Sequence, residues 1–258
     1  MPTALITGAS SGIGRSFAEQ LAERGYDLVL VARREERLRE IGDRLSAAHD
    51  IRAEVLAADL ETDDGAASVE RRIAAGAPLD LVINNAGFAT RAPTAQLDYA
   101  ATERMLRVNI FALVRLSGAA MGRMTAEGKG AIINVASGTV FIQMPGNAGY
   151  GSSKNFVLAF TRHMAAEAVG SGVKVQLVVP GVVATEFHDV AGADVNRFPP
   201  AMVMQANDLV AASLKSLDLA EPVCIPSLPD VRDWEAYIQA EQKLMDNVSR
   251  DHVAGRYQ

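Results

Sequence analysis

Tyr150 and Lys154 are four positions apart, so on a helix they stand one turn along the same face. A phenol has a pKa of about 10 and moves protons poorly near neutrality unless its anion is stabilised. An ammonium one turn away lowers that pKa electrostatically. The pair therefore suits proton exchange with an alkoxide, although a bare surface ion-dipole pair has the same spacing. Ser137 closes the apolar run Ile132–Val135, thirteen positions before Tyr150. Its hydroxyl can orient a substrate oxygen as a preorganised donor, or simply turn the chain at a strand end. Position 136 is alanine, so a single hydroxyl is offered there. Asn109 falls inside a helical stretch, where asparagine is a mediocre former. It marks a local kink or a functional amide.

A second constellation is Thr7-Gly8-Ala9-Ser10-Ser11-Gly12-Ile13-Gly14, directly after the apolar run Ala4-Leu5-Ile6. Glycines allow a sharp turn and bring backbone N–H groups against a pyrophosphate, while a following helix N-terminus favours anions. A plain strand-to-helix turn is the alternative. After a second apolar run, Leu28–Val31, come Ala32-Arg33-Arg34. A fold that accepts NAD usually carries a carboxylate here for the ribose 2′-hydroxyl, whereas an arginine accommodates the 2′-phosphate of NADP. A guanidinium meets phosphate with paired hydrogen bonds, so Arg33, next to Ala32, favours NADP(H), with Arg34 as a further candidate contact. They could instead merely open a charged helix with Glu35, Glu36, Arg37 and Arg39.

These residues need a frame, and the pattern supplies one. Short apolar runs alternate with helical stretches, the signature of a parallel sheet covered by helices. Strands are expected at Ala4–Thr7, Leu28–Val31, Ala53–Ala57, Leu81–Asn84, Ala131–Val135, Val175–Val179 and Val223–Ile225. Helices are expected at Arg15–Arg24, Glu35–Ala48, Asp64–Ala75, Thr102–Met121 and Ser152–Val169. The fold class is α/β, a Rossmann-like doubly wound parallel sheet of about seven strands with helices on both faces, in one domain over 1–258. Residues 186–207 break the rhythm with Gly192, Pro199 and Pro200 among Phe187, Val190, Phe198, Met202 and Met204. This segment is expected to cover the ligand crevice beyond the strand ends, or to be an ordinary loop packing its own hydrophobes. Trp234–Val248 reads as an amphipathic helix for packing or subunit contact.

The ordered set of motifs resembles the short-chain dehydrogenase/reductases of about 250 residues, whose signature is T-G-x-x-x-G-x-G. The resemblance spans Thr3 to about Ile225. It includes Asp59-Leu60, Asn84-Asn85-Ala86-Gly87, Asn109, Ser137, Tyr150-x-x-x-Lys154, and Pro180-Gly181 with Thr185. It implies an NADP-dependent oxidoreductase that moves a hydride between NADP(H) and a small carbonyl or alcohol. Tyr150 would be the acid in reduction and the base in oxidation, and Lys154 would also hold the nicotinamide ribose. Asn109 would distort its helix and hold a water behind the lysine, and Ser137 would orient the substrate oxygen. The resemblance assigns cofactor contacts to Gly8, Ser10, Ser11, Gly12, Ile13, Gly14, Asp59, Leu60, Asn85, Ala86, Gly87, Pro180, Gly181, Val183 and Thr185. Ser11 departs from the basic residue often found there in NADP-using relatives. The Asn109 and Tyr150 helices commonly form subunit interfaces, so a homodimer or homotetramer is implied.

Composition bounds the rest. A 258-residue chain with 49% hydrophobic and 22% charged residues has ample core. A net charge of −6 argues against nucleic acid as partner. The expectations are no membrane span, no signal peptide before the strand at Ala4, no metal, and a cytoplasmic setting with one cysteine, Cys224. Three rival readings remain, one of them a structural oligomer with vestigial sites that would oxidise NADPH with no carbonyl compound. A reductase of 3-oxoacyl groups on an acidic carrier protein commonly has arginines where Gly128 and Ser171 stand here, although Arg123, Lys129 and Arg162 lie nearby. A non-catalytic NADP-sensing protein would typically lack the Tyr150/Lys154 pair.

Overall fold

Runs of apolar residues that recur between amphipathic helices can bury both faces only as central parallel strands. The computed structural model describes residues 1–187 and 194–258 and bears this out. Seven parallel strands form one sheet: β1 (Thr3–Thr7), β2 (Asp27–Ala32), β3 (Ala53–Ala57), β4 (Leu81–Asn84), β5 (Gly130–Val135), β6 (Val173–Val178) and a final strand β9 (Val223–Cys224). Their order is β3-β2-β1-β4-β5-β6-β9. The order reverses between β1 and β4, where connections leave to opposite faces and open a crevice.

Alternating side chains of β1 seed the two cores. Ala4 and Ile6 join Phe17, Leu21, Leu30 and Leu38 under α1 (Gly12–Glu23) and α2 (Glu35–His49). Leu5 joins Val69, Val82, Leu116 and Met124 under α3 (Asp63–Ala75) and α5 (Leu113–Glu127). The remaining layer elements are α4 (Tyr99–Leu106), α6 (Ala148–Glu167) and α7 (Ala206–Asp218). Between α4 and α5 the chain widens into a π-helical turn, Arg107–Ala112, so Tyr99–Glu127 is one continuous 29-residue helix. That helix is longer than expected, and long and apolar enough to match a bilayer. Nonetheless Met105, Ala112, Leu116, Ala120 and Met124 are buried in the protein core.

The described residues 194–207 hold two 3-10 turns, Val195–Arg197 and Pro200–Met202, and a short strand. Strand β7 (Val182–Ala184) pairs in parallel with β8 (Val203–Gln205), bringing Val183 against Met204. His188, Val190 and Gly192 of the 186–207 segment lie outside the described residues. The chain divides into two compact units, Met1–Pro226 and Ser227–Gln258. The second is built on α8 (Val231–Val248), none of whose residues is buried and where Trp234 stacks on Tyr237 with centroids 5.3 Å apart.

A polar network crosses the second core. The Asn84 amide donates to Ser117 Oγ and to Asn134 Oδ1, both at 2.9 Å, and the Asn134 amide donates to Thr161 Oγ1 at 3.0 Å. All four side chains are buried, so each lost partner leaves an unsatisfied group in a medium that cannot replace it. Thr161→Val should therefore destabilise the fold by about 1–3 kcal/mol in urea unfolding; an unchanged midpoint would show the network to be dispensable.

Candidate active site

The first βα turn is shaped by what it must approach. Gly8 and Gly12 have φ of +69° and +54°, in the left-handed region where glycine alone is unstrained. A Cβ on Gly14 would lie 2.3 Å from the Gly8 carbonyl oxygen, and one on Gly8 would lie 2.8 Å from Asn85 Nδ2. One on Gly12 would meet the Thr185 methyl at 3.0 Å. The three Cβ positions are thus taken by the Asn85 side chain, Thr185 and the Gly8 carbonyl, so glycine alone lets the turn pack this closely on its neighbours. Ser11 does not cap α1 with its side chain, and the first turn holds no acidic residue. The amides that begin α1 face an anion without competition.

Thr7 and Asn85 join this turn to the one after β4. Thr7 Oγ1 donates to the Ile83 carbonyl and accepts from the Asn85 and Ala86 amides at 3.0 Å each. The Asn85 side chain returns a bond to the Thr7 carbonyl at 3.0 Å. Pro180 O accepts from Gly138 N–H at 2.6 Å, which sets Pro180-Gly181 against the end of β5. Asp59 accepts from the Glu61 amide at the end of β3, and Leu60 is buried beneath it. Ile13 and Val183 pack into the first core.

The two arginines after β2 part company. Arg33 is held by Glu61 at 2.7 Å. Arg34 turns to the glycine-rich turn and donates to Ser10 Oγ at 3.0 Å and Ser11 Oγ at 2.9 Å. Position 11 lacks a basic side chain, and Arg34 brings a guanidinium to it from the next element.

On the other side of the crevice, α6 presents Tyr150 and Lys154, both buried. Lys154 Nζ donates to the Val135 carbonyl at 2.9 Å and lies 5.9 Å from the Tyr150 ring centroid. Ser137, just beyond the end of β5, accepts from the Thr139 amide at 3.3 Å and pulls the Tyr150 phenol pKa down. Burial pushes the Tyr150 phenol up to about 12, against the pull of Ser137 and the positive field of Arg91. The same burial lowers the Lys154 ammonium to about 8. The expectation of a lowered phenol pKa therefore fails in the chain alone, because loss of water outweighs the neighbouring charges.

Asn109 occupies the π-helical turn. Its amide donates to the Phe88 carbonyl at 3.0 Å and to Ser153 Oγ at 3.1 Å, while its oxygen accepts from the Phe88 amide. Ser153 in turn donates to the Tyr150 carbonyl at 2.7 Å. Gly87 completes the contact, since a Cβ there would lie 2.9 Å from Asn109 Oδ1 and 3.4 Å from Lys154 Nζ. The unusual turn thus aims one amide at the loop after β4 and at the helix that carries Tyr150.

Arg37, Arg91, Ser153 and Glu186 were not foreseen as site residues. Arg37 sits one helical turn after Arg34, a spacing visible in the sequence. Glu186 could not be foreseen, because its partners lie 149 and 152 positions away. Phe187 packs on Tyr150 with ring centroids 5.8 Å apart.

Comparison with known proteins agrees with this geometry. The short chain dehydrogenase family model matches residues 2–196. A short-chain dehydrogenase from Sphingobium yanoikuyae, solved in complex with NADPH, is 40% identical with a TM-score of 0.96 over 100% of both chains. A bulky-bulky ketone specific alcohol dehydrogenase from Comamonas testosteroni is 36% identical, with a TM-score of 0.90 over 100% of this chain and 98% of the other. Sulfoacetaldehyde reductase 2 of Chromohalobacter salexigens is 34% identical over 245 residues, 90% of this chain and 96% of the relative. The chain belongs to the short-chain dehydrogenase/reductase family. It is an oxidoreductase of alcohol and carbonyl groups.

Proposed function

We propose that the protein is an NADP-dependent reductase and dehydrogenase of small, mainly apolar ketones or aldehydes, with Tyr150 as its proton donor and acceptor. The observation that carries this reading is the convergence of Ser137 and Lys154 on Tyr150 across a crevice floored by the glycine-rich turn. The cofactor, when bound, supplies the hydride. The chain's own residues manage the proton. Ser137 orients the substrate oxygen toward the phenol, and Tyr150 gives up its proton as charge develops there. A phenol held up near 12 is fully protonated at neutrality, the state that reduction requires. Lys154, held by Val135, places a positive charge beside the tyrosinate that results and would hold the nicotinamide ribose. Asn109, through Ser153 and the loop after β4, fixes the backbone around both and would hold the relay water implied by the family.

Three observations support NADP over NAD. Ala32 stands where a carboxylate would hold the ribose hydroxyl, Arg34 reaches Ser10 and Ser11, and the Sphingobium relative was solved with NADPH. The tight turn that these glycines permit and the uncapped start of α1 support a pyrophosphate site there. Asp59 and Leu60 would flank the adenine, with Asn85, Ala86 and Gly87 at its ribose. Pro180, Gly181, Val183 and Thr185 would face the nicotinamide end. Phe187 against Tyr150 and the exposed Phe141, Ile142 and Met144 support an apolar substrate under the 186–207 segment. Phe111 and Phe156, exposed on the Asn109 and Tyr150 helices, support a homodimer or homotetramer.

The decisive experiment follows NADPH consumption with a panel of aldehydes, ketones and acyl thioesters. Tyr150→Phe should cut kcat by about 10²–10⁴-fold while NADPH still binds; turnover close to wild type would refute the assignment. Ketone reduction should hold through neutral pH and fall above about 8 as Lys154 loses its proton, whereas a flat profile to pH 10 would leave its charge without a role. Arg34→Ala should weaken NADPH about tenfold or more and NADH little, in fluorescence titrations. Equal losses for both would remove Arg34 from cofactor choice.

A further inference from the structure

Arg34 and Arg37 converge on an anion that belongs to the chain itself. Arg34 Nη1 lies 3.2 Å from Glu186 Oε2, and Arg37 Nη1 lies 3.1 and 3.2 Å from the two carboxylate oxygens. Arg34 also donates to the hydroxyls of Ser10 and Ser11, whose own protons remain available to a further acceptor. Ser10, Ser11, Arg37 and Glu186 line a cleft of about 310 Å³ together with Gly12, Arg15 and Glu40, and Arg34 borders it through its bonds to the two serines and Glu186. Two guanidiniums and two hydroxyls around one negative group make a receptor for a phosphate dianion, in which the carboxylate fills a phosphate's place.

We propose that Glu186 is an intramolecular competitor of the cofactor's 2′-phosphate, holding Arg34 and Arg37 until that phosphate displaces it. The proposal rests on the reading of the cofactor as NADP. Glu186 directly follows Thr185, which packs on Gly12, so its carboxylate is delivered to the cleft at high effective concentration. Glu186 and both arginines are each about half exposed, and ion pairs in such surroundings are weak enough to exchange. The arginines hold the Glu186 carboxyl below its usual range, so the competing charge is present at neutral pH. A nucleotide without a 2′-phosphate leaves the pair intact and does not feel the competition. Glu186 thus lowers affinity for NADP selectively, and sets how far the enzyme prefers it.

Calorimetric titration of the full chain with adenosine 2′,5′-bisphosphate and with 5′-ADP tests this without turnover. Glu186→Gln and Glu186→Ala should each tighten the 2′,5′-bisphosphate about three- to fivefold while 5′-ADP changes little. Unchanged or weaker binding of the bisphosphate would overturn the proposal. Equal tightening of both nucleotides would also overturn it, because that is a general charge effect. The wild-type preference between the two nucleotides tests the NADP reading by itself. A wild-type preference that neither variant alters would remove Glu186 and leave NADP standing, whereas a preference that emerges only in the variants would support the competition.

Discussion

One buried hydroxyl holds the two halves of the crevice in register. Thr7 Oγ1 donates to one carbonyl of β4 and accepts from two consecutive amides beyond it, so the turns after β1 and β4 cannot shift independently. Asn85 returns the bond to the Thr7 carbonyl, and Gly8 and Gly14 remove the side chains that would push the turns apart. A threonine is suited to this position because its hydroxyl both donates and accepts while its methyl fills apolar space. The glycine-rich turn and the loop that carries Gly87 toward Lys154 are both built outward from this joint.

The charges of the site are balanced by burial rather than by direct pairing. Lys154 sits against a carbonyl and a ring, not a carboxylate, and loss of water brings its pKa down toward neutrality. The same desolvation keeps Tyr150 protonated. Arg91 contributes a field from outside the Tyr150–Lys154 pair.

The sheet and the Tyr150, Lys154, Ser137 and Asn109 positions were legible because their signals are local: apolar runs, a turn motif, an i,i+4 pair. Helix starts were less so. The expected start at Arg15 falls three residues late, because Gly12 and Gly14, which read as turn residues, also form the first turn of α1. Strands β7 and β8 are not legible in the sequence, since three-residue strands paired 21 positions apart carry no periodicity. The sequence puts the weight on Arg33, the residue next to Ala32, whereas it is Arg34 that reaches the glycine-rich turn. Adjacent side chains at a strand end diverge, and one goes to Glu61 while the other goes to the serines. The Glu186 contacts depend on tertiary placement alone.

The widened turn at Arg107–Ala112 has an evolutionary implication. A π-helical turn houses one more residue than regular winding would, and removing that residue restores ordinary hydrogen bonding on both sides. Backbone energetics therefore favour losing it. Its persistence in a 29-residue helix is a local sacrifice of regularity, balanced by the three bonds through which Asn109 ties the Phe88 loop to Ser153. A lineage that shed this insertion would gain a straighter rod and rotate the amide out of reach of its partners.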